Sequence, residues 1–389
     1  MNESEEKENG RVIVDWKRYT SEFPITKEKA YLNNAAVGAL STRNIDAINR
    51  TARIISSKGA GGDLEILETV ASAREALARL LGASADEIAF TKNTTQGVLI
   101  VANGIPLNDG DNIVLPSIEF PANVYPWLAL KNRGIEVREI EPVDGKVTSE
   151  MLIESCDERT KAVTVSAVQF SSGYRIDMEK LGAFCRKNGI YLHVDGIQAI
   201  GMIDFDVKRF NVDFLSSGAH KWLLGVGGIG FLYIRRELID RLDVWNPGWL
   251  SVENPMDFAN HSQGFRANAS RFEEGSLNAI GIAALGASVE RFLEIGIENI
   301  ERRIISTTDA LEEGLRERGF KITSPREERE RSGIICFRSD DIPSETIFDR
   351  LTARRVATSL RLGNIRVSPH FYNDETDVKR FFEAIDSIE

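Results

Sequence analysis

Two stretches of the chain decide its fold: Tyr191-Leu-His-Val-Asp-Gly-Ile-Gln198 and Ser216-Ser-Gly-Ala-His-Lys-Trp222. Each begins as a short apolar strand and ends in polar residues. Asp195 closes the first strand, and Lys221 follows the second. The carboxyl ends of parallel strands meet at one edge of a sheet, so we expect this acid and this lysine to face the same ligand.

Similar apolar runs alternate with helix-period segments through the first two thirds of the chain. Continuous apolar strands with helical crossovers are typical of an α/β fold, in which a mainly parallel sheet lies between layers of helices. Strands are predicted at Glu87–Phe90, Asn112–Pro116, Ala162–Ala167, Ile190–Val194 and Asp213–Ser217, and helices at Leu64–Leu81 and Met178–Lys187.

The pattern changes after about Ser276 and predicts a smaller C-terminal α/β domain. We expect an N-terminal segment over residues 1–30, with roughly the first ten disordered because they are polar and acidic. A large domain over 31–278 and a connecting helix with the small domain over 279–389 follow. The small-domain elements are predicted at Ala279–Arg318 (helical), Lys321–Thr323, Gly333–Arg338, Ser344–Arg354 (helical), Val356–Arg361, Ile365–Ser368 and Asp374–Ile388 (helical).

Composition excludes several classes of function. A formal net charge of −11 over 389 residues argues against a nucleic-acid binder and against a polybasic membrane anchor. Neither a signal peptide nor an apolar run of membrane-spanning length occurs, so a cytoplasmic protein is expected. Scattered cysteines and histidines predict neither a disulfide framework nor a metal site. These residues are Cys156, Cys185, Cys336, His193, His220, His261 and His370.

The paired acid and lysine indicate pyridoxal 5′-phosphate (PLP) chemistry. A lysine amine holds this cofactor as a Schiff base and carries protons, and a carboxylate beside the ring nitrogen keeps the ring an electron sink. Alone, a strand-end Asp is usually a turn cap and a Lys is usually solvated, but the pair is far more specific. We therefore predict that PLP is bound to Lys221, with Asp195 at its pyridinium nitrogen.

The phosphate of such a cofactor needs a cradle, and Phe90–Gly97 offers one. This segment leads from a strand into a helix, where the hydroxyls of Thr94 and Thr95 and free backbone N–H groups would hold a dianion. An ordinary Thr N-cap explains the same pattern equally well.

The chain resembles the class V branch of fold type I PLP enzymes, which contains class V aminotransferases and cysteine desulfurases. The resemblance runs from Tyr31-Leu-Asn-Asn-Ala-Ala36 to Arg366-Val-Ser-Pro-His-Phe-Tyr-Asn373 and is most specific in the two stretches quoted first. It implies an amino-acid substrate. It also implies that Gln198 contacts the phenolic oxygen of PLP, that Arg366 grips the substrate α-carboxylate, and that Phe120 lies where the family stacks a ring on the cofactor.

The resemblance also assigns the phosphate end of the cofactor. Thr94 and Thr95 match the phosphate-binding pair, and His220 matches the histidine beside the lysine. The family often has a phosphate-binding serine three positions before the lysine; here that position is Gly218, and Ser217 is the nearest serine. The loop that contains Ser276 resembles one that reaches the phosphate of a neighbouring subunit, which implies a homodimer with shared active sites.

Two departures bear on the reaction. Cysteine desulfurases stack a histidine where this chain has Phe120, and they carry a nucleophilic cysteine shortly before the carboxylate-binding arginine, where residues 358–365 contain none. We therefore predict transamination of an amino acid. A carbon–sulfur lyase without a catalytic cysteine, an amino-acid epimerase and a non-catalytic PLP-fold protein remain alternatives. Asn34 and Gln169 are further candidates for substrate contacts.

Overall fold

The computed structural model describes residues 7–8, 11–12 and 14–387. The expected disorder of the first ten residues therefore falls outside the described residues, except at Lys7–Glu8. The strands, in chain order, are β1 (Lys7–Glu8), β2 (Arg11–Val12), β3 (Ala30–Tyr31), β4 (Ile88–Thr91), β5 (Asn112–Pro116), β6 (Glu136–Ile140), β7 (Thr160–Ser166), β8 (Tyr191–Asp195), β9 (Phe214–Gly218), β10 (Gly230–Ile234), β11 (Lys321–Ile322), β12 (Ile335–Arg338), β13 (Val356–Ala357), β14 (Ser359–Arg361) and β15 (Asn364–Val367).

Helices follow most of these strands. The α-helices are α1 (Trp16–Thr20), α2 (Ile25–Glu28), α3 (Thr42–Lys58), α4 (Asp63–Leu81), α5 (Thr94–Gly104), α6 (Tyr125–Leu128), α7 (Ser149–Glu154), α8 (Met178–Asn188), α9 (Ala279–Ile295), α10 (Ile297–Glu317), α11 (Ser344–Ala353) and α12 (Glu375–Ile385). Short 3₁₀ helices lie at Gly59–Gly62, Ala85–Glu87, Pro121–Asn123, Ala129–Arg133, Arg236–Arg241 and Ala269–Phe272.

A seven-stranded sheet forms the centre of the protein, in the order β4-β10-β9-β8-β7-β5-β6. The pairs from β9 through β6 are parallel, whereas β10 is antiparallel to both β4 and β9. Apolar side chains of these strands are buried against helices, which is why their sequences are continuous apolar runs. The predicted α/β class with a mainly parallel sheet is confirmed.

A second, antiparallel sheet in the order β11-β12-β15-β14 lies in the C-terminal part of the chain. It has its own apolar core, which includes Ile335, Phe337 and Phe381. The N-terminal part joins this region, because β3 pairs in parallel with β13 and Asn33 bridges to Ser368. The domain boundaries at residues 30 and 278 stay predictions.

The predicted helical region Ala279–Arg318 is two helices. Gly296 separates them with a φ of 86°, a left-handed conformation that suits glycine. Its N–H bonds to the carbonyl of Phe292 and ends α9, and α10 begins at the next residue. The first helix, α9, packs on α3 and α4 beside the large sheet. None of the described helices is long and apolar enough to cross a membrane.

Candidate active site

Asp195 and Lys221 meet at the carboxyl edge of the large sheet. Asp195 is the last residue of β8 and pairs in register with Ser216 of the adjacent parallel strand β9. The chain continues from the end of β9 to Lys221, and both side chains are buried, with exposed fractions of 1% and 8%. The acid and the lysine therefore face one site, as their spacing in the sequence predicts.

The carboxylate of Asp195 is only half satisfied by the protein. Its Oδ1 accepts a hydrogen bond from the N–H of Ile197 at 2.9 Å, whereas Oδ2 is buried and has no hydrogen-bond partner among the described residues. Burial raises the pKa of Asp195 to about 6, against the opposing effects of the Ile197 N–H and the Lys221 charge. A buried acceptor of this kind requires a donor, and a protonated ring nitrogen supplies one.

The environment of Lys221 shifts its amine toward the neutral form. Burial lowers the pKa of Lys221 to about 8; Asp195 opposes this shift, and the charges of Arg366 and Arg361 add to it. Nζ lies 5.3 Å from the ring centroid of Phe120, which packs edge-on against Phe170. A neutral amine at this position is the form that reacts with an aldehyde and accepts protons.

The N-terminus of α5 forms the other end of the site. Helix α5 begins at Thr94, four residues earlier than the apolar run suggests, and its N-cap is Asn93, whose side chain accepts from the N–H of Gln96 at 2.9 Å. The ordinary Thr-cap interpretation is therefore wrong. Thr94 Oγ1 is buried and has no hydrogen-bond partner in the described part of the chain, which suits a hydroxyl that binds an anion. Thr95 is half-buried in the same turn.

Gly218 leaves room beside this helix end. A Cβ atom at position 218 would lie 3.3 Å from both Thr94 Oγ1 and His220 Nδ1, so these three residues converge. Burial lowers the pKa of His220, which keeps the imidazole neutral and able to donate one hydrogen bond. Together with the unpartnered Oδ2 of Asp195, this cradle fits a phosphate at one end of a ring and a pyridinium nitrogen at the other.

Two residues that are predicted to bind phosphate, Ser217 and Ser276, do not converge with Thr94 and His220. Ser217 precedes Gly218 on β9, so its side chain lies on the opposite face of the strand, where its hydroxyl bonds to the Gly218 carbonyl. The structure does not bring Ser217 into the cradle, and we omit it from the proposed contacts. Ser276 is exposed, in a loop where Glu274 forms an ion pair with Lys92 at 2.9 Å. A contact between Ser276 and a neighbouring subunit stays a prediction.

Two predicted site residues with amide side chains, Gln198 and Asn34, are hydrogen-bonded within the protein. Gln198 donates to the Ala35 carbonyl at 3.1 Å and accepts from Trp222 Nε1 at 2.7 Å. Asn34 donates to the Ser368 carbonyl at 3.0 Å and accepts from the Tyr372 hydroxyl at 2.7 Å. These bonds orient both amides, and each NH₂ group has one further hydrogen to donate. Their roles toward cofactor or substrate stay predictions.

Glu119 is a site residue that sequence reasoning did not assign. This fully buried carboxylate follows β5 and accepts hydrogen bonds from the Ser166 N–H at 2.8 Å, from Asn123 Nδ2 at 3.0 Å and from Gln169 Nε2 at 3.1 Å. Burial raises the pKa of Glu119 to about 7, and the nearby charge of Asp195 adds to the shift. Because the amide of Gln169 donates to Glu119, it stabilises the turn before Phe120. Its predicted contact with the substrate would be an additional role.

Arg366 is a buried guanidinium that has no carboxylate partner within the part of the chain that the structure describes. It is 2% exposed, its Nη1 donates to the Phe170 carbonyl at 2.7 Å, and its Nε has no hydrogen-bond partner. Burial lowers the pKa of Arg366 to about 10. An arginine in this state can bind a carboxylate through two parallel N–H bonds, and its contact with the substrate α-carboxylate, which the family resemblance implies, stays a prediction.

The structure brings Cys336 next to this arginine, which its distance along the chain did not indicate. Cys336 lies directly across from Arg366 in the sheet. Its Sγ donates to the Ser171 carbonyl at 3.2 Å, and burial raises the pKa of its thiol to about 11. A thiol in this state is not a nucleophile at neutral pH, because the thiolate is the reactive form.

Comparison with known proteins agrees with this geometry. Residues 30–381 match the sequence family described as Aminotransferase class-V. A probable cysteine desulfurase of Methanothermobacter thermautotrophicus is 28% identical, over 94% of this chain and 96% of the relative. The uncharacterized aminotransferase YcbU of Bacillus subtilis is also 28% identical, over 95% of this chain and 96% of the relative.

The fold is shared with solved structures. One is a mutant of C-DES, a cystine C–S lyase, with glycine covalently linked to its PLP cofactor. It matches with a TM-score of 0.87 and 23% identity, over 94% of this chain and 98% of that chain. At this identity the likeness establishes the fold alone.

Proposed function

The chain belongs to the aminotransferase class-V family of fold type I PLP-dependent enzymes, and on that premise we propose that it transfers the amino group of an amino acid. Its cofactor is PLP, which, when bound, withdraws electrons from the substrate Cα so that a proton can leave. The observation that carries the proposal is the site of Lys221. The buried amine of Lys221, whose pKa burial lowers to about 8, lies beside the aromatic ring of Phe120, a side chain that neither donates nor accepts a proton.

Each residue of the site has one proposed task. Lys221 takes the proton from the substrate Cα and returns it, because burial favours its neutral form. Asp195 would hold the ring nitrogen through Oδ2, and Gln198 would donate to the ring oxygen. Thr94, Thr95 and His220 would bind the phosphate at the N-terminus of α5. Phe120 would cover the ring and exclude water from it.

Transamination is favoured because it needs only one base. Lys221 can take the proton from the substrate Cα and deliver it to a second carbon atom. Elimination of a substrate side chain is assisted, in addition, by an acid that protonates the leaving group. The stacking position holds Phe120, and the thiol nearest to Arg366, that of Cys336, is buried and protonated. A lyase is the second candidate, because the relative from Methanothermobacter is named a probable cysteine desulfurase.

An absorption experiment tests the proposal. Single amino acids are added to the purified holoenzyme without a keto-acid acceptor. Transamination predicts stoichiometric loss of the band of lysine-bound cofactor, with pyridoxamine phosphate and one equivalent of keto acid formed. Many turnovers of keto acid with an unchanged band would instead establish the lyase and contradict transamination.

Replacing Arg366 with Ala is expected to weaken amino-acid binding while PLP stays bound. Hydrogen bonds to charged groups contribute about 1.5–3 kcal/mol, so we expect KM to rise roughly 10- to 150-fold. Arg366→Lys should lie between wild type and Arg366→Ala, because an ammonium keeps the charge but not the planar fork. The measurements are KM and the visible cofactor band.

A surface arginine of the same sheet supplies the control for this prediction. Arg338→Ala, at the exposed end of β12, should leave KM unchanged. Unchanged amino-acid binding in Arg366→Ala would place the α-carboxylate site elsewhere.

We further propose a homodimer whose subunits share active sites. Large exposed apolar side chains support this, including Trp249, Met256 and Phe258, with exposed fractions of 47%, 69% and 68%. The exposed position of Ser276 suits a contact with a second subunit. Sedimentation of the holoenzyme as a monomer would contradict the proposal.

We also propose a cytoplasmic location, on the composition alone; recovery of the protein from a secreted fraction of its cells would contradict it.

A further inference from the structure

A second arginine lies beside Arg366 on the same face of one hairpin. Strands β14 and β15 are antiparallel, with Arg361 opposite Asn364 and Ser359 opposite Arg366. Directly opposed residues share a face, as do residues two apart on one strand, so Arg361 and Arg366 are diagonal neighbours. The two-residue turn between the strands has φ values of 47° at Leu362 and 76° at Gly363, as in tight type I′ hairpins. This short connection fixes the relative positions of the two arginines.

Neither guanidinium has an acidic partner among the described residues. Within residues 14–387, the side chain of Arg361 forms one hydrogen bond, to the carbonyl of its neighbour Leu360 at 2.8 Å, and Arg366 bonds only to a carbonyl. By contrast, Arg326, another buried arginine of this chain, is paired with both Asp309 and Glu312. Burying the guanidinium of Arg366 without a counter-charge is costly, and the half-buried Arg361 adds a second positive charge beside it, so an anion from outside the protein would stabilise the pair.

The charge near Lys221 exceeds what one carboxylate neutralises. The charges of Arg361 and Arg366 both act on Lys221, and the charge of Arg361 also acts on Arg366. Among the residues that the structure describes, Asp195 is the one carboxylate whose charge opposes them at Lys221, and its Oδ2 faces the ring nitrogen in the function proposed above. A substrate α-carboxylate bound at Arg366 leaves the positive charge of Arg361 without a partner.

We propose that Arg361 binds a second anionic group on the substrate side chain, so that the site selects amino dicarboxylic acids. This inference rests on the proposed function, because it names the substrate class of the same site. Arg366 takes the α-carboxylate from a buried position, whereas Arg361 is half-buried near the turn and takes the side-chain carboxylate at the outer part of the site. Neutral amino acids of similar size lack the group that Arg361 binds.

Binding of unreactive carboxylates to the holoenzyme tests this inference without any turnover. Succinate, glutarate and butyrate contain no amino group, so calorimetric titration measures recognition of their carboxylates alone. We expect succinate or glutarate to bind at least about tenfold more tightly than butyrate, the equivalent of one added charge-assisted contact. Arg361→Gln should remove this difference and leave butyrate binding unchanged, and Arg361→Lys should keep part of it.

Matched variants protect the interpretation. Arg350→Gln removes one positive charge from the exposed surface of α11 and should preserve the preference for dicarboxylates. Arg361→Met keeps the aliphatic stem and should behave as Arg361→Gln does, with an unchanged cofactor band as proof of an intact site. Equal affinity of the wild type for butyrate and both dicarboxylates would overturn the inference. So would an equal loss of butyrate and dicarboxylate binding in Arg361→Gln, because Arg361 would then share the α-carboxylate.

The two proposals fail separately. A lyase that showed the dicarboxylate preference would contradict transamination and leave the role of Arg361 intact. A transaminase that bound butyrate with the same affinity as succinate and glutarate would support transamination and contradict the role of Arg361.

Discussion

Replacing Lys221 with Ala is expected to abolish the visible band of lysine-bound cofactor and to lower turnover by at least about 10³-fold, within the range usual for loss of a general acid–base group. Lys221 is the buried amine beside Phe120, and burial lowers its pKa to about 8. Without this amine, the cofactor has no covalent attachment and the substrate Cα has no base. The measurements are an absorption spectrum of the reconstituted variant and single-turnover rates.

Two comparisons make this expectation sharp. Lys208→Ala, an exposed lysine after β8, should keep both the band and the rate. A small primary amine added to Lys221→Ala should restore part of the rate, because it can accept protons in the space that the side chain leaves. Retention of the original band by Lys221→Ala would move the attachment point to another lysine.

The second large effect is expected for Asp195→Asn. The amide keeps the shape of the side chain and can still accept the N–H bond of Ile197, but it carries no negative charge to hold a protonated ring nitrogen. We expect turnover to fall by roughly 10²–10³-fold, as for loss of a preorganised electrostatic group. The bound cofactor should persist, because Lys221 and the phosphate cradle are unchanged.

The directions of change in two further quantities, the pKa of Lys221 and the unfolding temperature, distinguish this role of Asp195 from a structural one. The charge of Asp195 opposes the lowering of the Lys221 pKa, so its removal should lower that pKa further. Burial raises the pKa of Asp195 to about 6, so at neutral pH, where the carboxylate is mostly ionised, its buried charge lowers the stability of the cofactor-free protein. Asp195→Asn should therefore unfold at the same or a higher temperature without cofactor. A large loss of thermal stability would indicate that Asp195 is mainly a structural residue.

The central strands were predictable because burial on both faces leaves a local signature. The run Asn112–Pro116 was predicted with the bounds that β5 has, and β7, β8 and β9 lie within two residues of their predicted positions. Strand β6 was missed because it lies at the edge of the sheet and has no fully buried residue, so it lacks a continuous apolar run. Strand β10 was missed as well, and its antiparallel direction depends on pairing with both β9 and β4 rather than on its own residues.

The sequence by itself determined the pair of Asp195 and Lys221 and the cofactor that they indicate, because Asp195 closes β8 and Lys221 closely follows β9, and each strand is defined by its own residues. Only the tertiary structure decided the state of the groups around them. The burial of Glu119 depends on Ser166 and Gln169 of another segment, and the thiol of Cys336 reaches Arg366 only through strand pairing. Charge and burial depend on long-range packing, so the free oxygen of Asp195 and the unpaired guanidiniums of Arg361 and Arg366 leave no mark in local sequence.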